Sequence, residues 1–185
     1  MVRLAKRPDF CRKDAFWMLL YGKLVTLRTV ETSDTDAILA VLQDPTVSRW
    51  WGHYYHDKVR AEMIEDDGAC VFAIEADGAF AGIIQYGEEL DPMYKHASID
   101  LALAEGHQGR GIGPDAIRTL ARYLFEAKGH HRLVIDPAET NRNAIRAYEG
   151  VGFQRVGVMR EYECGADGAW HNGLLMDLLV GELTV

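Results

Sequence analysis

The sequence has no metal-ligand spacing, no membrane-length apolar run and no surplus of positive charge, and each absence closes off a class of function. Cys11, Cys70 and Cys164 are odd in number, far apart and in no metal-binding pattern, which fits reduced thiols, with Cys70 a small core residue. The 7 histidines, His107 and His130-His131 among them, stand in no spacing with cysteines or carboxylates that would hold a metal, so none is expected. The apolar run from Ala15 to Tyr21 is too short to cross a bilayer, and no small-residue cleavage site follows it. A cytoplasmic chain without membrane contact is expected. With 20 Lys and Arg against 28 Asp and Glu, the net charge of −8 argues against a general nucleic-acid binder and suits a small cationic partner. Repeats, low-complexity tracts and linkers are also missing.

What is present is enough for one compact domain: 185 residues, 48% hydrophobic and 26% charged. The charge is uneven. Residues 1–20 hold five basic side chains against Asp9 and Asp14, a net +3, which leaves −11 for the remainder. We therefore divide the chain into a basic N-terminal extension, 1–20, and an acidic main domain, 21–185. The extension reads either as a short amphipathic element packed on the body or as residues upstream of a start at Met18. A monomer and a homodimer are equally compatible with the composition.

Alternation and β-branching predict a strand over Lys23–Val30, and Thr32 or Ser33 can cap a helix running to the Asp44-Pro45 break. A second short helix is expected over Lys58–Glu65. Cys70–Ala76 and Ala79–Tyr86 flank Asp77-Gly78, a pair that accepts the positive φ of a tight hairpin. A polar stretch, Gly87–Lys95, leads to the strand Ala97–Ala104, a glycine-rich loop, and a helix with Pro114 in its first turn. A strand over Arg132–Asp136, a helix over Asn141–Glu149, and two final strands around a turn at Ala166–Gly168 complete a mixed α/β sheet in one layered domain.

The loop QGRGIG, residues 108–113, places three glycines between strand and helix. Backbone N–H groups can approach an anion there without obstruction from Cβ, and the helix N-terminus adds a favourable field. It is neither a Walker loop nor a dinucleotide fingerprint. A tight turn and a pyrophosphate site of another kind both remain as readings of the loop alone.

This loop resembles the coenzyme A pyrophosphate loop of the GNAT superfamily, matched at Gln108, Gly111 and Gly113. The segment NRNAIRAYEGVGF, residues 141–153, resembles that superfamily's second signature. The resemblance spans roughly 21–180. It implies a mostly antiparallel, splayed central sheet flanked by helices, and acetyl-CoA as cosubstrate lying in the splay. Leu101 and Leu103 would bind the pantetheine arm, Gln108, Gly109, Arg110, Gly111, Ile112 and Gly113 the phosphates, and Asn141 and Tyr148 would also touch the cofactor. Acetyl transfer would follow by direct attack of a primary amine in a ternary complex.

Such an amine is mostly protonated near neutral pH, so a carboxylate or an ordered water must take its proton. Asp100 interrupts an apolar strand, where an ionised group is costly unless it has partners or a task. It reads either as the group that meets the acceptor amine, as in the aminoglycoside 6′-N-acetyltransferases that it resembles, or as a structural Asp at a splayed strand end. Tyr148 matches the superfamily's acid for the departing thiolate, or else is a core aromatic. Asn141 can cap its own helix while contacting the cofactor.

Trp50-Trp51-Gly52, Asp100 and Asp136-Pro137 resemble the aminoglycoside branch, with Trp51 either walling the acceptor cleft or packing in a core or interface. Glu88, Glu89 and Asp91 are placed in a loop bordering the acceptor pocket and Asp136 opposite, which would attract a polycation; Glu88, Asp91, Asp100 and Asp136 are the acidic acceptor candidates. The ending DGAWHNGLLMDLL also resembles protein N-terminal acetyltransferases of the ribosomal type. Siderophore or lysine acylation, and a non-catalytic acyl-CoA-binding module, remain as alternatives.

Overall fold

A computed structural model describes residues 18–65, 68–165 and 167–184. Residues 1–17 of the basic extension, and Ala166 of the expected terminal turn, lie outside the described residues. The elements are β1 (Leu19–Tyr21), β2 (Val25–Thr29), α1 (Thr35–Gln43), α2 (Pro45–Trp51), α3 (His56–Val59), β3 (Ala69–Ala76), β4 (Ala79–Glu89), β5 (His96–Leu103), α4 (Ile112–Glu126), β6 (Arg132–Ile135), α5 (Arg142–Glu149), β7 (Gln154–Cys164) and β8 (Trp170–Leu179). The strands form one sheet in the order β1-β2-β3-β4-β5-β6-β8-β7. Each adjacent pair is antiparallel except β5 with β6, which α4 connects as a parallel crossover.

Strand alternation sorts the apolar residues onto two faces. Phe72 and Ile74 of β3, with Ile99 and Leu103 of β5, pack on one side with Ile117, Leu120 and Leu124 of α4. Val71 and Ala102 face the other side, against Ile38, Val41, Leu42 and Val59 of the small helices. The hairpin at Asp77-Gly78 forms as expected, with φ of 53° and 76°.

Several local expectations change. Lys23–Val30 tightens to β2, and β1 adds an edge strand from within the stretch assigned to the extension. Asp115 of α4 ties this corner down by accepting the Leu24 and Val25 amides at 2.6 and 3.1 Å. Gly22 is required there, because a Cβ would stand 2.4 Å from Asp115 Oδ2. Pro45 does not simply end α1. Asp44 caps a new helix with Pro45 in its first turn, so Trp50 and Trp51 end α2 rather than lying in a loop. The expected 58–65 helix begins at His56 and continues as a π-helical stretch over Arg60–Glu65. β4 extends through Glu89, which places Glu88 and Glu89 in the sheet. Cys70 is buried as expected, and Cys164 is a free, exposed thiol. No helix among the described residues is long and apolar enough to cross a membrane.

Candidate active site

β5 and β6 pair only at Ala97–Leu133 and Ser98–Val134. Beyond Ser98, β5 continues beside β4 while β6 ends at Ile135. The sheet splays at that point, and a cleft of about 880 Å³ opens in the gap. Its floor is Asp100–Leu103; its walls come from α2, the glycine loop, the turn after β6, α5 and β7.

On one side the glycine loop feeds α4. Gly109 and Gly111 have φ of 71° and 81°, the left-handed region that glycine enters without a Cβ clash. The first-turn N–H groups of α4 have no partner within their own helix and present a positive field to the cleft. Gly113 sits where a Cβ would be 3.3 Å from Leu103 Cδ1. Gln108 lines the cleft but is also a brace, donating from Nε2 to the Leu103 carbonyl and to Thr46 Oγ1, each at 2.9 Å. Arg110 and Ile112 are not in the lining. Arg110 turns out to pair with Asp77 at 2.7 Å, and Ile112 is buried in the core as the first residue of α4.

Asn141 caps α5, its Oδ1 accepting from the Ala144 N–H at 3.2 Å, and still lines the cleft. One helical face further, Tyr148 is buried and packs against Phe153. Burial first, then the charges of Asp100 and Asp136, hold its phenol well above the ordinary tyrosine range. The phenol therefore keeps its proton near neutral pH.

The opposite end is acidic. Solvent reaches Asp100 through the cleft mouth. Surrounding protein nevertheless strips enough hydration that burial, then repulsion from Asp136, push its carboxyl up to about 6. Gln85 Nε2 donates to it at 3.4 Å, and among the described residues no cation pairs with it. Asp136 and Trp51 line the same space, as expected. Glu88 and Asp91 do not. Glu88 is held by Lys128 at 2.9 Å and by His130 at 2.6 Å on the far side of the ladder, and Asp91 caps its own turn by accepting the Met93 N–H at 2.8 Å.

The structure adds cleft residues that sequence reasoning missed: Gln85, Tyr54, Tyr162 and Glu163. Gln85 left a signal, a lone polar residue inside the apolar run of β4. Tyr162 and Glu163 left none, because a distortion of β7 aims them. Glu163 is raised above the usual carboxylate range by burial and by Asp136, and Tyr162 is pushed up to about 12, chiefly by Asp136. Among the described residues, no group of three His, Cys, Asp or Glu gathers to hold a metal.

A glycine loop at a helix start, a splayed β5–β6 pair and a phenol on the following helix form one arrangement. The match to the acetyltransferase (GNAT) domain family covers residues 25–154. The chain belongs to the GNAT acetyltransferase family. It is an N-acetyltransferase. It is 29% identical over 155 residues to the aminoglycoside N(6′)-acetyltransferase type 1 of Klebsiella pneumoniae, covering 73% of this chain and 76% of the relative. Two solved structures share the fold. The ribosomal-protein-S5-alanine acetyltransferase of Vibrio fischeri has TM-score 0.76 and 16% identity, covering 91% of this chain and 100% of that one. The spermidine N-acetyltransferase of Vibrio cholerae, in complex with CoA and spermine, has TM-score 0.74 and 22% identity, covering 86% and 97%.

Proposed function

We propose that this GNAT N-acetyltransferase transfers the acetyl group of acetyl-CoA to the 6′-amine of an aminoglycoside. The observation that carries the acceptor class is the convergence of Asp100, Asp136 and Glu163, beside Trp51, Tyr54 and Tyr162, at one end of the cleft. Three carboxylates that no Lys or Arg among the described residues pairs with attract a polycation, and flat aromatic walls suit sugar rings. The aminoglycoside relative supports the same acceptor.

Acetyl-CoA would lie along the other end. The glycine loop and the start of α4 fit its phosphates, and the edge of β5 that β6 leaves uncovered near Leu101 and Leu103 fits its amide-bearing arm. When bound, it supplies an activated thioester carbonyl. The chain's residues do the rest. Asp136 and Glu163 orient the ammonium form of the acceptor. Asp100, a stronger base than an ordinary carboxylate, takes the proton directly or through water, which frees the nitrogen lone pair for attack. Tyr148, held neutral, donates to the departing thiolate sulfur. Asn141 sets the start of the helix that carries Tyr148.

The same acidic end suits a linear polyamine or a peptide α-amine, so acceptor identity is tested directly. Thiol release from acetyl-CoA is measured with kanamycin, tobramycin, a 6′-hydroxyl aminoglycoside, spermidine, an N-terminal Ala peptide and a lysine derivative. Turnover confined to the 6′-amino aminoglycosides is expected. Turnover with spermidine or the peptide alone reassigns the acceptor. A melting-temperature shift with acetyl-CoA and no turnover at all would point to a binding module.

A further inference from the structure

We infer that Thr46 is a positioning residue: its hydroxyl is the joint through which the glycine loop fixes α2, so that the acceptor wall carried by Trp51 is set from the cofactor side of the cleft. This rests on the two ends of the cleft as proposed above. Gln108 Nε2 donates to Thr46 Oγ1 and to the Leu103 carbonyl, each at 2.9 Å. One side-chain amide thus ties α2 both to the loop and to the last residue of β5. The Thr46 hydroxyl in turn donates to Asp44 Oδ1 at 2.7 Å. A hydroxyl accepts and donates at once, which no apolar side chain of the same shape can do. Asp44 completes the bracket: Oδ1 also accepts the Thr46 N–H at 2.8 Å, and Oδ2 accepts the Glu105 N–H at 3.2 Å from the short turn after β5.

The rest of α2 leaves its start to these polar bonds. Val47 is buried and Trp51 half-buried against the cluster of the small helices, while Pro45, Thr46, Ser48, Arg49 and Trp50 are partly or fully exposed. Apolar contact is non-directional and lets a short helix shift over its bed, whereas hydrogen bonds weaken steeply when bent or stretched and so fix a position. α2 also runs along the cleft. Thr46, Arg49, Trp50 and Trp51 all line it. Thr46 stands beside the loop, and Trp51 lies about 7.5 Å further along the helix axis. A tilt at the Thr46 end therefore moves the indole that walls the acceptor. Gln108 and Thr46 are 62 positions apart, so chain connectivity does not hold loop and helix in register. The hydroxyl joint does.

Thr46→Val keeps the β-branched shape and the Asp44 bonds to the backbone N–H groups of residues 46 and 105, and removes the hydroxyl alone. Thr46→Ser restores it. With kanamycin, or whichever of the amines named above the wild type acetylates, Thr46→Val should raise the amine KM roughly 5- to 10-fold. Its kcat, acetyl-CoA KM and melting temperature should be nearly unchanged, and Thr46→Ser should stay close to the wild type. Gln108→Met cuts the joint from the loop side, and in that background Thr46→Val should add little. An unchanged amine KM in Thr46→Val, an equal defect in Thr46→Ser, or effects that simply multiply would overturn the proposal. A second readout needs no ligand. In protein labelled with 5-fluorotryptophan, the Trp51 signal, assigned by its loss in Trp51→Phe, should shift or broaden in ¹⁹F NMR on going to Thr46→Val, while that of Trp170, exposed on β8, stays put. Identical Trp51 signals would overturn the joint. A wild-type protein that acetylates none of the amines would instead defeat the acceptor reading, and the fluorine spectrum would still decide the role of Thr46.

Discussion

Two carboxylates on the β4–β5 ladder, three register positions apart and so on opposite faces of the sheet, meet opposite fates. On one face Glu88, opposite Ala97, is closed in by Lys128 and His130, and their hydrogen bonds hold its carboxyl below the usual range despite its burial. On the other face Asp100, opposite Gln85, has an amide for a partner and Asp136 for a neighbour, so burial first and then that charge push its carboxyl up to about 6. A carboxylate paired with cations is spent on structure. One left with an amide and a second negative charge can take a proton or hold a substrate cation, and that contrast separates the reaction face of this ladder from the buttressed face.

The strongest way to break the contrast is to give Asp100 the cation that Glu88 already has. Gln85→Lys should form a cross-strand pair, lower the Asp100 carboxyl and occupy the acceptor's place, cutting kcat/KM for the amine about 100-fold or more in a thiol-release assay. Activity near the wild-type level would mean that Asp100 needs neither its basicity nor its openness. Next in size is Tyr148→Phe, which should lower kcat roughly 10- to 100-fold while moving the Michaelis constants less, because the lost donor matters as the thiolate leaves. A dominant rise in KM would make Tyr148 a binding residue.

Glu88→Gln sharpens the comparison from the other side. It should leave turnover intact and cost roughly 1–2 kcal/mol of stability at neutral pH, measured by denaturant unfolding. The sign with pH follows from the depressed carboxyl. The native protein sheds this proton more readily than the unfolded chain, so the stabilisation is full above the ordinary glutamate range and is lost on acidification through the folded-state value. The variant and the wild type should therefore converge in acid. Asp100 behaves inversely: its raised carboxyl makes ionisation costly to the fold as pH rises toward and past about 6, so Asp100→Asn should not destabilise the protein at neutral pH. The smallest effect is expected from Gly111→Ala, whose φ of 81° makes a side chain cost about 1–2 kcal/mol. The acetyl-CoA KM should rise several-fold, and the amine KM should stay put.

How much of this was legible in the sequence follows the same division. The glycine loop at 108–113 and the Asn141–Phe153 segment are contiguous, so the residues expected on the cofactor side could be named from two unbroken patterns. Within that set, the Arg110 side chain turns out to Asp77 and the Ile112 side chain packs into the core. The acceptor side is assembled from α2, β4, β5, the turn after β6 and β7. Only Asp100, Asp136 and the tryptophans announced themselves, as polar residues in apolar strands or as a conspicuous pair. Glu88 was misplaced because β4 runs three residues beyond Tyr86, and because its partners Lys128 and His130 lie some 40 positions away. Tyr162 and Glu163 were invisible because a bulge, not a pattern, turns them inward. α2 was missed because Asp-Pro reads as a stop, although Asp44 with Pro45 in the first turn is equally a start.

The most direct test of the account is Asp100→Asn, assayed for thiol release with the preferred amine and for the melting-temperature shift with acetyl-CoA. The account predicts turnover lower by about two to four orders of magnitude, with the acetyl-CoA shift preserved. Turnover close to that of the wild type would contradict it and take Asp100 out of the mechanism.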